Sequence, residues 1–119
     1  MLLAIDTSTR AIGIALYDGN RVLCENTWIS KNHHTIELAP SVDQALAHVG
    51  AECSDIQAVG VAIGPGSFTG LRIGLAFAKG LAVSQRSSTI GIPTLNILAE
   101  SLPVQSGARL AAVIEAGRR

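Results

Sequence analysis

Gly64-Pro65-Gly66-Ser67-Phe68-Thr69-Gly70-Leu71-Arg72-Ile73-Gly74 lies between an apolar, β-branched run and a long apolar pattern at helical spacing. Glycine reaches positive φ without steric cost and proline holds φ near −65°, so Gly64, Pro65 and Gly66 predict a tight turn. Ser67 and Thr69 both offer side-chain oxygens to the free amides of the following helix, and the spacing favours Thr69 as the N-cap. A strand, a turn and a helix N-terminus can hold an anion through backbone amides. The loop lacks the Gly-Lys-Ser/Thr ending of a P-loop and the GxGxxG spacing of a dinucleotide site, which favours the other reading, a turn that seats a helix.

On either side of the loop the pattern extends into a complete layered unit. Ile56–Ile63 reads as a buried strand, and Gly70–Gln85 as a helix apolar on two stripes, Leu71/Leu75/Ala78/Ala82 and Ile73/Phe77/Leu81/Ser84. Upstream, Leu2–Thr7 is an apolar run that delivers Asp6, Thr7, Ser8 and Thr9 to a strand end. Ala11–Tyr17 follows closely enough to pair with it, Asp18-Gly19-Asn20 is a hairpin turn, and Arg21–Ile29 is a third strand. Leu38, Val42, Leu46 and Val49 recur at helical spacing through Thr35–Val49, with Thr35 as N-cap and Gly50 as the stop. Pro40 predicts a later start or a kink, because an internal proline costs about 3 kcal/mol. Ser88–Ile92 is a short strand, Pro93-Thr94 opens a helix through about Leu102, and Arg109–Glu115 reads as a new strand. The order β-β-β-α-β-α-β-α is that of an α/β, ribonuclease-H-like fold, the half-domain of actin-like ATPases, with a mixed five-stranded sheet. Residues 1–108 are expected to form this lobe, and residues 109–119 to begin a second lobe that is missing.

The chain has nine basic and nine acidic residues, so nothing in its net charge argues for independent binding to nucleic acid or to an anionic membrane. Hydrophobic residues make up 48% and aromatics only 3%, so the core has to be built from aliphatic side chains. Cys24 and Cys53 lack CxxC spacing and are expected to be reduced thiols. The N-terminal run has no basic n-region and is broken by Asp6, and no run approaches membrane-spanning length; the expectation is a soluble cytoplasmic domain.

Four groups of residues could carry chemistry. Asp6, with Thr7 and Ser8, either faces a nucleotide phosphate or caps its own turn. A two-metal nuclease of this fold needs further carboxylates on neighbouring strands, and Ile56–Ile63 has none. Gly66 and Ser67 would complete a nucleotide-binding set. His33, His34 and Glu37 stand at a helix entrance with His48 and Asp43 further along, but a metal site needs a third ligand on one face, so no metal is expected. Ser67 does not sit in a G-x-S-x-G elbow, and no Ser/His/Asp arrangement is defensible, so no catalytic residue is assigned. Finally, an apolar excess on two helices of a small neutral domain points to a partner.

GPGSFTGLRIG and LAFAKGLA, together with MLLAIDTST and the His34-Thr35-Ile36-Glu37-Leu38 helix entrance, resemble the bacterial TsaB family, also called YeaZ. The resemblance covers residues 1–117. It implies the N-terminal lobe of an actin-like ATPase fold, and a non-catalytic role in making threonylcarbamoyladenosine in tRNA, with catalysis in the TsaD paralogue. It also implies contacts with the ATPase TsaE, self-association as a dimer, indirect contact with tRNA, and no cofactor in this chain, ATP belonging to the complex. Partner contacts are expected at His34, Glu37, Leu38, Arg72, Ala76, Lys79 and Val83. The paralogue's H-x-x-x-H metal motif is incomplete here, since Leu38 follows His34. Arg109–Glu115 is similar to the family's A-x-I-D-A-R-R strand, with Glu115 for the acid and Gly117 for the first arginine. The alternatives are an ATP-binding or hydrolysing half-domain using Asp6 and residues 64–70, a peptidase-like enzyme, and a direct tRNA contact along Arg72, Lys79 and Arg86.

Overall fold

The structure, a computed structural model, describes residues 1–31, 33–103 and 105–115. Among these, five strands and three α-helices follow one another as β1 (Leu2–Asp6), β2 (Ala11–Tyr17), β3 (Val22–Ile29), α1 (His34–Val49), β4 (Ala58–Ala62), α2 (Phe68–Gln85), β5 (Ser88–Ile92) and α3 (Thr94–Glu100), with a 3-10 turn at Cys53–Asp55. The sheet order is β3-β2-β1-β4-β5, which leaves β3 and β5 as edge strands. β1–β2 and β2–β3 are antiparallel, and β4 lies parallel to both β1 and β5. This is the mixed five-stranded α/β sheet expected from the order of elements.

One face of the sheet is packed and the other is partly open. Leu3 and Ile5 of β1, Ile12, Ile14 and Leu16 of β2, and Val59 and Val61 of β4 point into a single core with Leu38, Val42 and Leu46 of α1 and Ala78 of α2. The alternation within β1 and β2 is the period of two that puts successive side chains on opposite faces. At the β2–β3 turn Gly19 takes φ 103°, and Asp18 Oδ1 accepts hydrogen bonds from Asn20 N (2.8 Å) and Arg21 N (2.9 Å). These amides, Arg21's first, hold the Asp18 carboxyl below its ordinary range.

Helix α1 begins at His34, ahead of Pro40, with His33 at the cap position and no side-chain cap; Thr35 lies inside the first turn. Tertiary packing overrides the proline here. Leu38 is fully buried two residues before it, and Trp28 Nε1 on β3 donates to Glu37 Oε2 at 3.0 Å, pinning the first turn to the sheet. The carbonyl that loses its partner to Pro40 is that of Ile36, an exposed position where water can replace the bond. Gly50 ends the helix in the left-handed conformation, as expected.

Helix α2 starts at Phe68, and its N-cap is Ser67, not Thr69: Ser67 Oγ accepts from Gly70 N at 3.2 Å. The choice is set outside the helix, because Ser67 N donates to Ser8 O at 2.7 Å and fixes Ser67 in a non-helical conformation. The most buried stripe is Gly70, Gly74 and Ala78, narrower and smaller than either aliphatic stripe. Ile73, Leu75, Phe77 and Leu81 pack beside it, half-buried. Helix α3 is shorter than expected, ending at Glu100. Arg109–Glu115 forms no strand, and Gly117 lies outside the described residues. Cys24 and Cys53 are free, half-buried thiols.

Candidate functional site

The end of β1 is where the sequence gathers its hydroxyls, and there the structure builds a joint. Asp6 Oδ1 accepts from Ser8 N at 2.9 Å and from Ser8 Oγ, so the carboxylate caps its own turn. Thr7 is fully buried, and its Oγ1 donates to Gly70 O at 2.7 Å. A Cβ on Gly66 would strike the Ser8 backbone, one on Gly70 the Thr7 carbonyl, and one on Gly74 the Thr7 hydroxyl. The glycines of the loop therefore admit the turn Asp6–Ser8 against the first two turns of α2 at backbone contact. Gly64 takes φ 107°, and its carbonyl accepts from Thr94 N at 2.9 Å, tying the start of α3 to the same joint.

This geometry bears on the five residues expected to face a nucleotide. Asp6 and Ser8 line a cavity of about 360 Å³ on the open face of the sheet, whereas Thr7, Gly66 and Ser67 do not. Two amides that a phosphate cradle would use are already taken, Ser67 N by Ser8 O and Gly70 N by Ser67 Oγ. The arrangement is that of a docking turn.

The seven residues expected at a partner contact divide into two groups. His34 and Leu38 are buried, 8% and 1% exposed, and pack inward at the α1 entrance. Glu37 is half-buried and held by Trp28. Arg72, Ala76, Lys79 and Val83 are exposed, and Phe68, one turn before Arg72, joins them. The Arg72 guanidinium stacks 5.2 Å from the Phe68 ring centroid. Arg86 is exposed at the helix end, in the left-handed region at φ 53°. Among the described residues no group of three or more His, Cys, Asp or Glu side chains is placed to hold a metal ion, and no helix is long and apolar enough to cross a membrane.

Two features escaped the reading of the sequence. The Trp28–Glu37 bond joins residues with no spacing signal. The open face, by contrast, was written in Ala11, Gly13 and Ala15, small residues at a period of two. Glu37 makes a testable contribution. Hydrogen bonds from Trp28 and then Ser30, with the nearby His33 and His34, hold its carboxyl below the ordinary value of 4.5. A depressed folded-state value stabilises the fold above the unfolded value and is lost as pH falls through the folded one. Glu37→Gln is therefore expected to flatten the acid side of the stability profile below about pH 4.5. Urea midpoints measured through that range check it, and identical pH slopes for both proteins would count against it.

The sequence profile of the TsaD family, described as tRNA N6-adenosine threonylcarbamoyltransferase, matches residues 23–119. Among curated relatives, the Escherichia coli tRNA threonylcarbamoyladenosine biosynthesis protein TsaB is 38% identical over 97% of this chain and 50% of its own length. The Bacillus subtilis TsaB is 38% identical over 82% of this chain and 43% of its own. YeaZ from Pseudomonas aeruginosa superposes with a TM-score of 0.80 at 35% identity, covering 84% of this chain and 46% of that one. RuvC of Thermus thermophilus, at TM-score 0.53 and 12% identity, shares the fold alone. The fold and these matches define an actin-like, ribonuclease-H-like protein of the TsaD group. Within that group the chain belongs to the TsaB (YeaZ) family. It spans about half the length of the curated relatives it matches.

Proposed function

We propose that this chain serves tRNA threonylcarbamoyladenosine biosynthesis as a non-catalytic partner subunit, presenting α2 to a protein of the TsaD family. The observation that carries the reading is the exposed stripe Phe68, Arg72, Ala76, Lys79 and Val83. These residues recur at three- and four-residue steps along one helix face, with Phe68 74% and Val83 81% exposed. An apolar stripe with cations at its margin has the composition of a helix–helix contact. Ile36 of α1, 71% exposed, adds to the unburied apolar surface. Catalysis would belong to the TsaD partner. The ATPase TsaE and a second copy of this chain are further candidates for contact, and tRNA would be reached through the assembly. Residues 1–108 would act as the N-terminal lobe, with residues 109–119 leading into a second.

The test is titration of the chain with a TsaD-family protein. Ala76→Glu and Val83→Glu are each expected to weaken association by about a hundredfold or more, the scale of losing a central contact residue. Glu25→Lys, on the far face of the sheet, is expected to leave it unchanged. Unaltered binding by both α2 variants removes α2 as the contact.

A further inference from the structure

The β2–β3 turn lies at the end of the sheet where β1 begins, as the register Leu2↔Tyr17 places it, and shares no residue with the joint at Asp6–Ser8 or with the α2 stripe. Asp18, Gly19 and Asn20 are all exposed there. An aspartate followed by glycine is well suited to closing a five-membered ring, because glycine has no Cβ to shield its amide nitrogen or restrict the backbone around it. Gly19 sits at φ 103°, nothing lies within 4 Å of where a Cβ would stand, and among the described residues its amide makes no hydrogen bond. The nucleophile is unhindered and unengaged.

The restraint falls on the electrophile. Asp18 Oδ1 accepts from Asn20 N at 2.8 Å and from Arg21 N at 2.9 Å. The Gly19–Asn20 peptide unit is gripped at both ends, its N–H by Asp18 Oδ1 and its carbonyl by Tyr17 Oη, which donates to Gly19 O at 2.8 Å. Asp18 N donates to Arg21 O at 3.2 Å and closes the loop. The amides of Arg21 and then Asn20 hold the carboxyl below its ordinary range, so less of it is the neutral acid that can lose water. Ring closure takes that neutral acid and turns Cγ onto Gly19 N. Both changes give up the charged, two-amide arrangement of the folded turn.

We propose that Asp18–Gly19 is a latent site of aspartate-to-isoaspartate rearrangement, held closed by the folded turn with Tyr17 as a positioning residue, and released wherever the turn opens. Gly19 N bonds to Asp18 Cγ, and the hydroxyl of the acid leaves with the amide hydrogen as water. Water then adds to either ring carbonyl. At Cγ it restores aspartate; at the main-chain carbonyl of Asp18 it gives isoaspartate, with the chain running through Cβ. Solvent is the only other reactant. The isoaspartyl turn has one more chain carbon, and the carboxyl that held two amides has become the peptide link. The bonds that kept the turn shut cannot re-form, so each opening that reacts is recorded. The freed α-carboxylate is the group that an isoaspartyl-specific, S-adenosylmethionine-dependent methyltransferase esterifies. None of this depends on the partner contact of α2.

The chain and a synthetic peptide of residues 16–22 are incubated side by side near neutral pH, and isoaspartate at position 18 is followed by peptide mapping and enzymatic methylation. The folded chain is expected to rearrange at least about tenfold more slowly than the peptide, the factor for a restraint worth one ordinary hydrogen bond. Tyr17→Phe should speed the folded chain by about threefold or more, through loss of its grip on Gly19 O, with the urea midpoint changed no more than by other surface substitutions. In urea above the unfolding transition, parent and variant should both match the peptide, since the turn is then open in all three. A folded chain that reacts as fast as the peptide overturns the proposal. So does a Tyr17→Phe protein no faster than the parent, or a parent whose rate fails to rise in urea. Should Tyr17→Phe fail to fold, the parent in and out of urea decides alone.

Discussion

Gly70→Ala is expected to destabilise the fold by at least about 3 kcal/mol, the upper range for forcing an extra methyl into a packed contact, with a fall in melting midpoint on the order of 10 °C. The added Cβ would strike the Thr7 carbonyl, which is backbone and has no rotamer into which it can retreat. Relief requires α2 to lift from the end of β1, which breaks the buried Thr7 Oγ1–Gly70 O bond and exposes Thr7. Gly80→Ala is the control on the same helix. Nothing lies within 4 Å of a Cβ there, so the same change should stabilise by about 0.5–1 kcal/mol through helix propensity and a more restricted unfolded chain. Thermal unfolding of the two variants should therefore move in opposite directions. A Gly70→Ala protein with an unshifted midpoint would mean that α2 does not sit on Thr7 as described.

The second large effect separates packing from contact among the residues that the family resemblance places at a partner surface. Leu38→Ala is expected to cost about 2–5 kcal/mol, the range for removing a buried leucine side chain and leaving a cavity. Ala76→Glu, at an exposed helical position, should stay within about 0.5 kcal/mol of the parent. Loss of partner binding in Leu38→Ala would then follow from unfolding, while the same loss in Ala76→Glu would come from the surface itself. Urea denaturation run beside the binding titration distinguishes them. A stable, folded Leu38→Ala protein would contradict the placement of this residue in the core.

The residues that announced the fold were those whose local chemistry and tertiary role agree. Asp18-Gly19-Asn20 turns because a glycine at positive φ and an aspartate accepting two amides are sufficient for it, whatever the rest of the chain does. The period of two in β1 and β2 was likewise legible, and Gly50 ended α1 where its left-handed geometry is needed. The failures came where a distant residue decides. Ser67 takes the cap from Thr69 because Ser8 holds its amide. Helix α1 runs through Pro40 because Trp28 and the core beneath Leu38 anchor the turn before it. Arg109–Glu115 has a strand-like pattern but pairs with no strand of the sheet.

The candidate site was legible as a place more than as a chemistry. Asp6, Thr7, Ser8, Gly66 and Ser67 do converge, yet what they mostly reach is one another. Glycine spacing alone does not say whether close approach serves a ligand or a second piece of backbone, because both need the same missing Cβ. On the α1 entrance the sequence could not separate His34 and Leu38, which face inward, from Ile36, which faces water; at α2 the buried stripe Gly70, Gly74 and Ala78 leaves Ala76 and Val83 outward by elimination.

The two unpaired edges of the sheet have a colloidal consequence. With equal numbers of acidic and basic residues, the molecule has no net charge to keep copies apart at long range. Protection from strand-to-strand stacking therefore falls to the edges themselves. β3 is guarded by its run of exposed Glu25, Asn26 and Thr27, which resists an apolar zipper. β5 has only its five-residue length and Ser88 and Thr89, with Ile90 half uncovered beside them. Slow precipitation near neutral pH would thus begin at β5, and a single lysine at Ile90 would be the economical way to keep concentrated solutions clear.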